Sequence, residues 1–299
     1  MIVDQLKAFY AVVKYGGFDR AAESIKLSQP GVSMRIKRLE KDLGVDLFSR
    51  LGGRARLTDA GKIVHEHAGR LMIVLDEMRQ AIDELKGLQR GQLRCGATPT
   101  YAVHLLPKVL VQFKRYFPNV EIRLIGGKTS EIAKRILAQD IDIGLVTATP
   151  TIPDSLRTFH LLTDEFVFVT ARNHPLAKLH KISLKQIGDV PLILREKGSL
   201  QRMIIDECFR RSGLAYRCIM EMEAAEALKR AVTEGLGCSI VSFCSIQTET
   251  QIGTLAYARI VKAPMKRTFI AIMHRGKTLS GPMKPFLELL KLHINSASS

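Results

Sequence analysis

The stretch from Leu27 to Leu43, LSQPGVSMRIKRLEKDL, carries two helical patterns at once. Ser28 is a good N-cap, and Pro30 in the first turn costs no intrahelical hydrogen bond. Val32, Ile36, Leu39 and Leu43 then share one face, while Gln29, Ser33, Arg35, Lys37 and Arg38 occupy the other. Upstream, a helix from about Val3 to Tyr15 puts Leu6, Phe9, Val12 and Val13 at helical spacing and stops at Gly16-Gly17. A second short helix, Arg20 to Ile25, follows Asp19 as its N-cap, and Ala21 and Ala22 are small enough for another helix to approach closely. Two short helices joined by a tight turn, the second basic on its free face, make a helix-turn-helix. Such a helix fits the major groove, where Arg can pair with guanine and Gln with adenine, and where Ser33 suits a phosphate or a base. An amphipathic surface helix with solvated charges shows the same pattern, so the residues that follow carry weight. Leu47-Phe48-Ser49-Arg50 leads into Leu51-Gly-Gly-Arg54-Ala-Arg56-Leu57, three arginines with no acid between them on a glycine turn. This reads as a β-wing lying against sugar-phosphate backbone, a source of affinity without sequence information.

Beyond the wing, residues 58–89 form one uninterrupted helical pattern that Thr58 can cap. Val64, Leu71, Met78 and Leu85 recur every seventh residue, with Ala68, Leu75 and Ile82 at the offset of four. A seam of this length wants a partner helix, so dimerisation is expected. About thirty helical residues span roughly 45 Å, enough to hold two reading heads about one DNA turn apart. Gly87 and Gly91 bracket the exit and read as a hinge.

The whole chain has 299 residues, 46% of them hydrophobic and 25% charged, which favours two domains and excludes a disordered, collagen-like or disulfide-dense protein. No apolar run is long enough for a transmembrane helix. The N-terminus has an acid at Asp4 and no basic-then-apolar leader, so a cytoplasmic location and no membrane partner are expected. The five cysteines form no CxxC pair or zinc spacing and read as reduced thiols. The net charge is +16, which suits nucleic acid, an acidic membrane or anionic small molecules. Only +4 of it falls on residues 1–90 and +12 on residues 91–299, so bulk charge alone would point away from the helix-turn-helix.

Phe18-Asp-Arg-Ala-Ala22, Leu27-Ser-Gln-Pro30-Gly-Val-Ser33, Ile36, Leu39-Glu40, Leu43-Gly44, Leu47-Phe48, Arg50, Leu57-Thr58 and Gly61 together resemble the winged helix-turn-helix of the LysR-type transcriptional regulators. Length and succession of elements extend the resemblance over essentially the whole chain. One position departs: the family usually has Arg or Lys after the recognition-helix serine, and here Met34 stands there with Arg35 following. Base readout at that site is therefore expected to differ, through apolar contact with a thymine methyl group. The resemblance implies an α/β chain with a winged helix-turn-helix DNA-binding domain at 1–58 and a dimerisation linker helix and hinge at 59–90. A two-lobed, periplasmic-binding-protein-like effector domain follows at 91–299, lobe I covering about 91–163 and 265–299 and lobe II about 164–264. It implies DNA contacts from Ser28, Gln29, Pro30, Ser33, Met34, Arg35, Lys37, Arg38, Arg50, Arg54 and Arg56, and dimerisation through Val64, Leu71, Leu75, Met78, Ile82 and Leu85. The implied partners are double-stranded promoter DNA, RNA polymerase, a small-molecule effector and the chain itself, two dimers joining into a homotetramer that bends DNA.

From Gly91 the pattern is strand (Gln92–Ala97), polar turn, helix (Tyr101–Tyr116), strand (Val120–Ile125), helix (Ser130–Ala138) and strand (Ile141–Thr147), a βαβαβ unit. A second unit holds strands at Glu165–Thr170 and Leu192–Arg195, a helix after Gly198-Ser199, a helical run at Ala224–Glu234, a strand at Cys238–Ser242 and a return through Thr268–His274. Ligands in such folds sit at the carboxyl ends of strands and the N-termini of helices. Thr98, Thr100, Thr129 and Thr147 fall at such ends in the first unit, and Ser199 opens a helix in the second just after Arg195 and Lys197. Hydroxyls and helix N-termini favour an anion and nearby cations reinforce it, so these residues are expected to hold a small anionic effector. Plain N-capping is the alternative for each hydroxyl, and their joint placement across two lobes rests on the resemblance.

No enzyme is expected, since the chain holds no GxSxG elbow, P-loop, HExxH or GxGxxG. Glu221 and Glu223 alternate with Met220 and Met222 as on a strand, not as an acid/base pair. His104, His160, His174 and His180 lack partners at metal-binding spacing, and His65 and His67 face different ways on their helix, so neither metal nor cofactor is expected. A redox-sensing branch of the family uses a cysteine soon after the second-lobe glycine. Here Leu200 occupies that position, leaving sensing through Cys208 and Cys218 as the alternative. The polar tail Asn295–Ser299 is expected to fray.

Overall fold

The computed structural model describes residues 2–51, 54–85, 91–279 and 281–297. The first three helices, α1 (Ile2–Tyr15), α2 (Phe18–Ser24) and α3 (Gln29–Leu43), close around a buried core of Ala8, Phe9, Val12, Ala21, Ala22, Val32, Ile36, Leu39 and Leu47. The small residues Ala21 and Ala22 supply the close packing their size suggested. Ser28 caps α3 by accepting the Gly31 N–H at 3.3 Å. Gly44, in the left-handed conformation at φ 71°, ends the helix with its own N–H on the Glu40 carbonyl. Two local expectations fail. Helix α2 starts at Phe18 after Gly17, so Asp19 lies inside the first turn, where its charge suits the helix dipole, and is not the cap. Leu43 is 43% exposed because the buried stripe of α3 stops at Leu39.

The wing is an antiparallel hairpin of β1 (Phe48–Leu51) and β2 (Arg54–Leu57), with Phe48 opposite Leu57. Glu40 on α3 accepts the Leu47 and Phe48 N–H groups at 2.8 and 3.3 Å, fixing the start of the hairpin to the helix before it. Thr58 accepts the Gly61 N–H at 3.0 Å and donates to the Asp46 carbonyl at 2.7 Å, capping α4 (Asp59–Leu85). Gly61 is required there by space: a Cβ would lie 2.2 Å from the Leu47 carbonyl oxygen. Along α4, Ala68 and Ile73 are buried and Val64 packs on the core of the three helices, whereas Ile63, Val74, Met78 and Ile82 are exposed. The hinge at 86–90, Gly87 included, lies outside the described residues, as do the side chains of Arg50, Arg54 and Leu85.

The remaining elements are β3 (Gly91–Ala97), α5 (Leu106–Tyr116), β4 (Val120–Gly126), α6 (Thr129–Leu137), β5 (Ile143–Thr147), β6 (Leu156–Ala171), β7 (Lys181–Ser183) and α7 (Leu184–Gly188). They continue with β8 (Pro191–Arg195), α8 (Leu200–Arg211), β9 (Arg217–Met222), α9 (Ala225–Thr233), β10 (Ser239–Ser242), α10 (Gln247–Gln251), β11 (Leu255–Val261), β12 (Lys266–His274) and α11 (Met283–Ala297). The sheet runs β4-β3-β5-β12-β6-β11-β7, and β10 also pairs with β6. Strand β6 is 16 residues long. Its first part, Leu156–Glu165, pairs with β12, and its second, Phe166–Ala171, with β10 and β11. Lobe I packs its sheet under α5 and α11, lobe II packs its own under α7 and α8, and the expected division at 163/164 falls inside this one strand. The helix expected at Tyr101–Tyr116 opens with a π-turn, Tyr101–Leu105, before α5. The expected strand at Ile141–Thr147 begins only at Ile143, and α11 continues to Ala297 where fraying was expected from Asn295. Among the described residues no helix is long and apolar enough to cross a membrane.

One buried charge cluster fixes the base of lobe I. Asp142, 2% exposed, accepts the backbone N–H and guanidinium of Arg94 and the ammonium of Lys277. Burial by itself would raise the Asp142 pKa, but hydrogen bonds and charge from Arg94 and Lys277 outweigh it and hold the group below the usual carboxylate value.

Two outcomes follow from this packing. Gly61→Ala is expected to lower unfolding free energy by about 1–3 kcal/mol in urea titration, because backbone must move to admit the methyl group. Asp142→Ala is expected to cost about 3 kcal/mol, since buried Lys277 and half-buried Arg94 both lose this counter-charge. A depressed carboxylate pKa stabilises the fold above the unfolded value and loses that contribution as pH falls toward the folded one. The wild-type urea midpoint should therefore decline below about pH 4, and more steeply than that of the Asp142→Ala variant.

Candidate DNA interface and effector cleft

Burial of Val32, Ile36 and Leu39 fixes which side of α3 is free. Pro30, Ser33, Met34 and Lys37 fall at i, i+3, i+4 and i+7, one strip of that free side, and Met34 is 66% exposed at its centre. Gln29 and Arg38 are exposed beside the strip, and Ser28 is exposed at its head while serving as the cap. Arg35 lies on the flank of the strip and is half-buried. Arg35, Lys37 and Arg38 enter no ion pair among the described residues, which leaves their charge available to an external anion. Arg56 on the wing is exposed.

The second region lies at the carboxyl ends of the parallel strands β3 and β5, which pair Ala97 with Leu145. Thr98 follows β3, its N–H on the Leu145 carbonyl at 3.0 Å and its Oγ1 buried without a hydrogen-bond partner. Thr129, the first residue of α6, donates to the carbonyl of buried Thr147 at 3.4 Å. Thr100 accepts from the Arg267 guanidinium at 3.2 Å. The four lobe I threonines thus gather at one sheet end. The lobe II candidates are already engaged: Ser199 caps α8 by accepting the Arg202 N–H at 3.2 Å and donates to the Glu196 carbonyl at 2.9 Å. Arg195 chelates Glu196 at 2.9 and 3.1 Å. Ser199 thus makes the capping bond that was its alternative reading, and Arg195 is paired with the neighbouring carboxylate.

What joins the lobes is a set of residues the sequence did not single out. Arg267 on β12 pairs with Asp164 on β6 at 2.9 Å, its guanidinium 4.5 and 5.1 Å from the ring centres of Phe269 and Phe166. Asp164 also accepts from the Ser242 hydroxyl at 2.6 Å and the Cys244 N–H at 3.3 Å, both from lobe II. Tyr101, fully buried against Phe269, carries a hydroxyl with no hydrogen-bond partner. Burial, with Cys244 and Asp164 nearby, raises its pKa, so it stays a neutral donor. On the rim, His104 in the π-turn meets Glu226 of α9 at 3.2 Å, and Glu226 pairs with buried Lys229, which also holds Glu249. Burial lowers the His104 pKa, Lys229 adds to this, and Glu226 and Glu249 oppose it.

The thiols are ordinary. Cys208 directs its sulfur at the Ala263 carbonyl and burial raises its pKa, the opposite of what a reactive thiolate needs. Cys218 contacts the Met220 carbonyl. Among the described residues no three His, Cys, Asp or Glu side chains are grouped as metal ligands.

Comparison with known proteins follows this division of the chain. Residues 3–62 match the family model "bacterial regulatory helix-turn-helix protein, lysR family", and residues 86–294 match "LysR substrate binding domain". The HTH-type transcriptional activator CmpR of Synechocystis sp. is 35% identical over 294 residues, covering 98% of this chain and 96% of CmpR. A variant of full-length OxyR from Pseudomonas aeruginosa has the same fold, with a TM-score of 0.74 at 22% identity over 99% of this chain and 95% of that one. The Synechocystis CcmR regulatory domain, solved in complex with 2-PG, aligns with a TM-score of 0.60 at 28% identity, over 68% of this chain and 97% of that one.

Proposed function

The chain belongs to the LysR family of transcriptional regulators, and we propose that it converts occupancy of a small-anion site between its lobes into a change in its grip on promoter DNA. The observation that carries the effector half is the pair of buried, unpartnered hydroxyls, Thr98 Oγ1 and Tyr101 Oη, beside the Thr100–Arg267 contact. Buried polar atoms without partners are rare in folded proteins, and at a sheet end rich in N-termini they suit an acidic ligand. CcmR with 2-PG supplies a reasonable first probe. The effector set is Thr98, Thr100, Tyr101, Thr129, Thr147 and Arg267; Arg195 and Ser199 are left out because their own loop satisfies them. On the DNA side, the Pro30–Ser33–Met34–Lys37 strip faces the major groove, with Gln29 and Arg38 beside it. Arg35 on the flank and Arg56 on the wing meet phosphate. The exposed Val74, Met78 and Ile82 of α4 meet the same helix of a second copy, giving a dimer with two reading heads. A promoter-binding role supports a cytoplasmic location.

A thermal-shift screen of the full-length chain against 2-PG, inorganic phosphate, organic acids and amino acids tests the effector half. A small anion at 100 times its Kd should add roughly 2.7 kcal/mol of stability. Thr98→Val keeps the shape and removes a hydroxyl that has no protein partner. It should leave the unliganded fold as stable as before yet weaken anion binding by about tenfold or more, the worth of one hydrogen bond to a charged group. Unchanged binding would place the ligand elsewhere. On DNA, Met34→Ala should relax preference at one base pair per half-site by about 1 kcal/mol. Arg56→Ala should weaken all sequences alike and lower the salt slope by about 1, as measured by binding titrations on point-mutated operators.

A further inference from the structure

At one corner of lobe I, the first helix and the linker helix rest on the regulatory domain of the same chain. The turn Ala138-Gln139-Asp140 after α6 makes three contacts. Asp140 pairs with Lys14 of α1 at 2.9 Å. The Tyr10 hydroxyl of α1 reaches the Ala138 carbonyl at 3.5 Å. The Gln139 amide donates to the Gly69 carbonyl of α4 at 2.8 Å. Gln139 holds a left-handed backbone, φ 58°, which few non-glycine residues adopt without compensation. Tyr10 stacks on His65 of α4 with ring centres 5.3 Å apart, so α1, α4 and the turn meet at one point. Burial, and then the charge of Asp140, raise the Tyr10 pKa to about 12, which keeps its hydroxyl a donor. Beside this point, Ile73 of α4 borders a cavity of about 10 Å³ with Arg94, Ile136, Gln139, Ile141, Asp142, His274 and Lys277, room for one water at most.

The same elements reach the sheet end proposed above as the small-anion site. Helix α6 begins at Thr129, which bonds to Thr147, and nine residues later delivers Ala138 to the corner. Nine residues make a rod of roughly 13 Å. Strand β5 repeats the arrangement, with Asp142 just before its start and Thr147 at its end. A shift of Thr129 and Thr147 toward a ligand therefore moves the turn that holds Lys14, Tyr10 and Gly69.

We propose that Ala138, Gln139 and Asp140 form a docking surface for the reading head of the same chain, and that occupancy of the cleft acts on the head through it. The inference rests on the small-anion reading above. The experiment uses the full-length chain as wild type, Lys14→Glu, Asp140→Lys and the double exchange. Two readouts are taken: hydrogen exchange of residues 10–15 and 138–141 without ligand, and the footprint on promoter DNA with and without 2-PG. Each single variant puts like charges together at the corner. Exchange should rise on both sides of the contact, at least severalfold, and the footprint response to 2-PG should be lost. The double exchange should restore both. If the singles exchange as wild type, or the double fails to recover, the docking surface is refuted. A loss of DNA affinity in Lys14→Glu that persists in the double would make Lys14 a phosphate contact and overturn the assignment. If 2-PG has no effect on any form, the choice of ligand fails, while exchange alone still decides whether the surface exists.

Discussion

Asp164 is a carboxylate with no exposed side-chain surface, placed where one strand passes from one lobe to the other. An ionised carboxylate out of water must be compensated by charge and hydrogen bonds or the fold loses several kcal/mol. The compensation comes from three directions: Arg267 on the returning strand, the Ser242 hydroxyl at the end of β10 and the Cys244 N–H just beyond it. Each donor comes from a different segment, so the network ties the end of β10 and the returning strand β12 to the strand that crosses between the lobes. Arg267 then reaches Thr100, which ties the junction to the turn that opens the first helix of lobe I. Whatever enters between the lobes acts against this network.

From there the physical route outward is short. The threonines at the ends of β3 and β5 and at the start of α6 lie at one sheet end, and the far ends of β5 and α6 carry Asp142 and the Ala138–Asp140 turn. The first anchors lobe I internally through Arg94 and Lys277; the second touches α1 and α4. A ligand shifts such an equilibrium only as far as it binds one arrangement better than the other. On the function proposed above, the unpartnered hydroxyls of Thr98 and Tyr101 are where that difference in affinity would arise.

Local chemistry was legible in the sequence and long-range chemistry was not. Ser28 as a cap, the hairpin before Thr58 and the small pair Ala21-Ala22 each follow from neighbours a few residues away, and the structure has them all. The family resemblance extended that reading to the whole chain, and the two matched family models cover both halves. Asp19 and Leu43 misled because a cap and a helix end depend on where the chain turns, which residue type alone does not specify. The sequence shows the donors of Ser199 and Arg195 but not that Glu196 engages both in this structure. Asp164 and Arg267 went unnoticed for the complementary reason: they stand 103 residues apart, and nothing near either one announces its partner. An acid directly ahead of an apolar run, Asp164 before Phe166-Val-Phe-Val169, was the signal available.

The most direct test of the link between cleft and DNA is the bend of a promoter fragment held by the full-length protein, measured by circular-permutation electrophoresis with and without saturating 2-PG. A change in bend while the complex stays intact is the expected result. If 2-PG binds the protein–DNA complex and the bend does not move, occupancy of the cleft is not converted into DNA geometry, and the coupling described here is wrong.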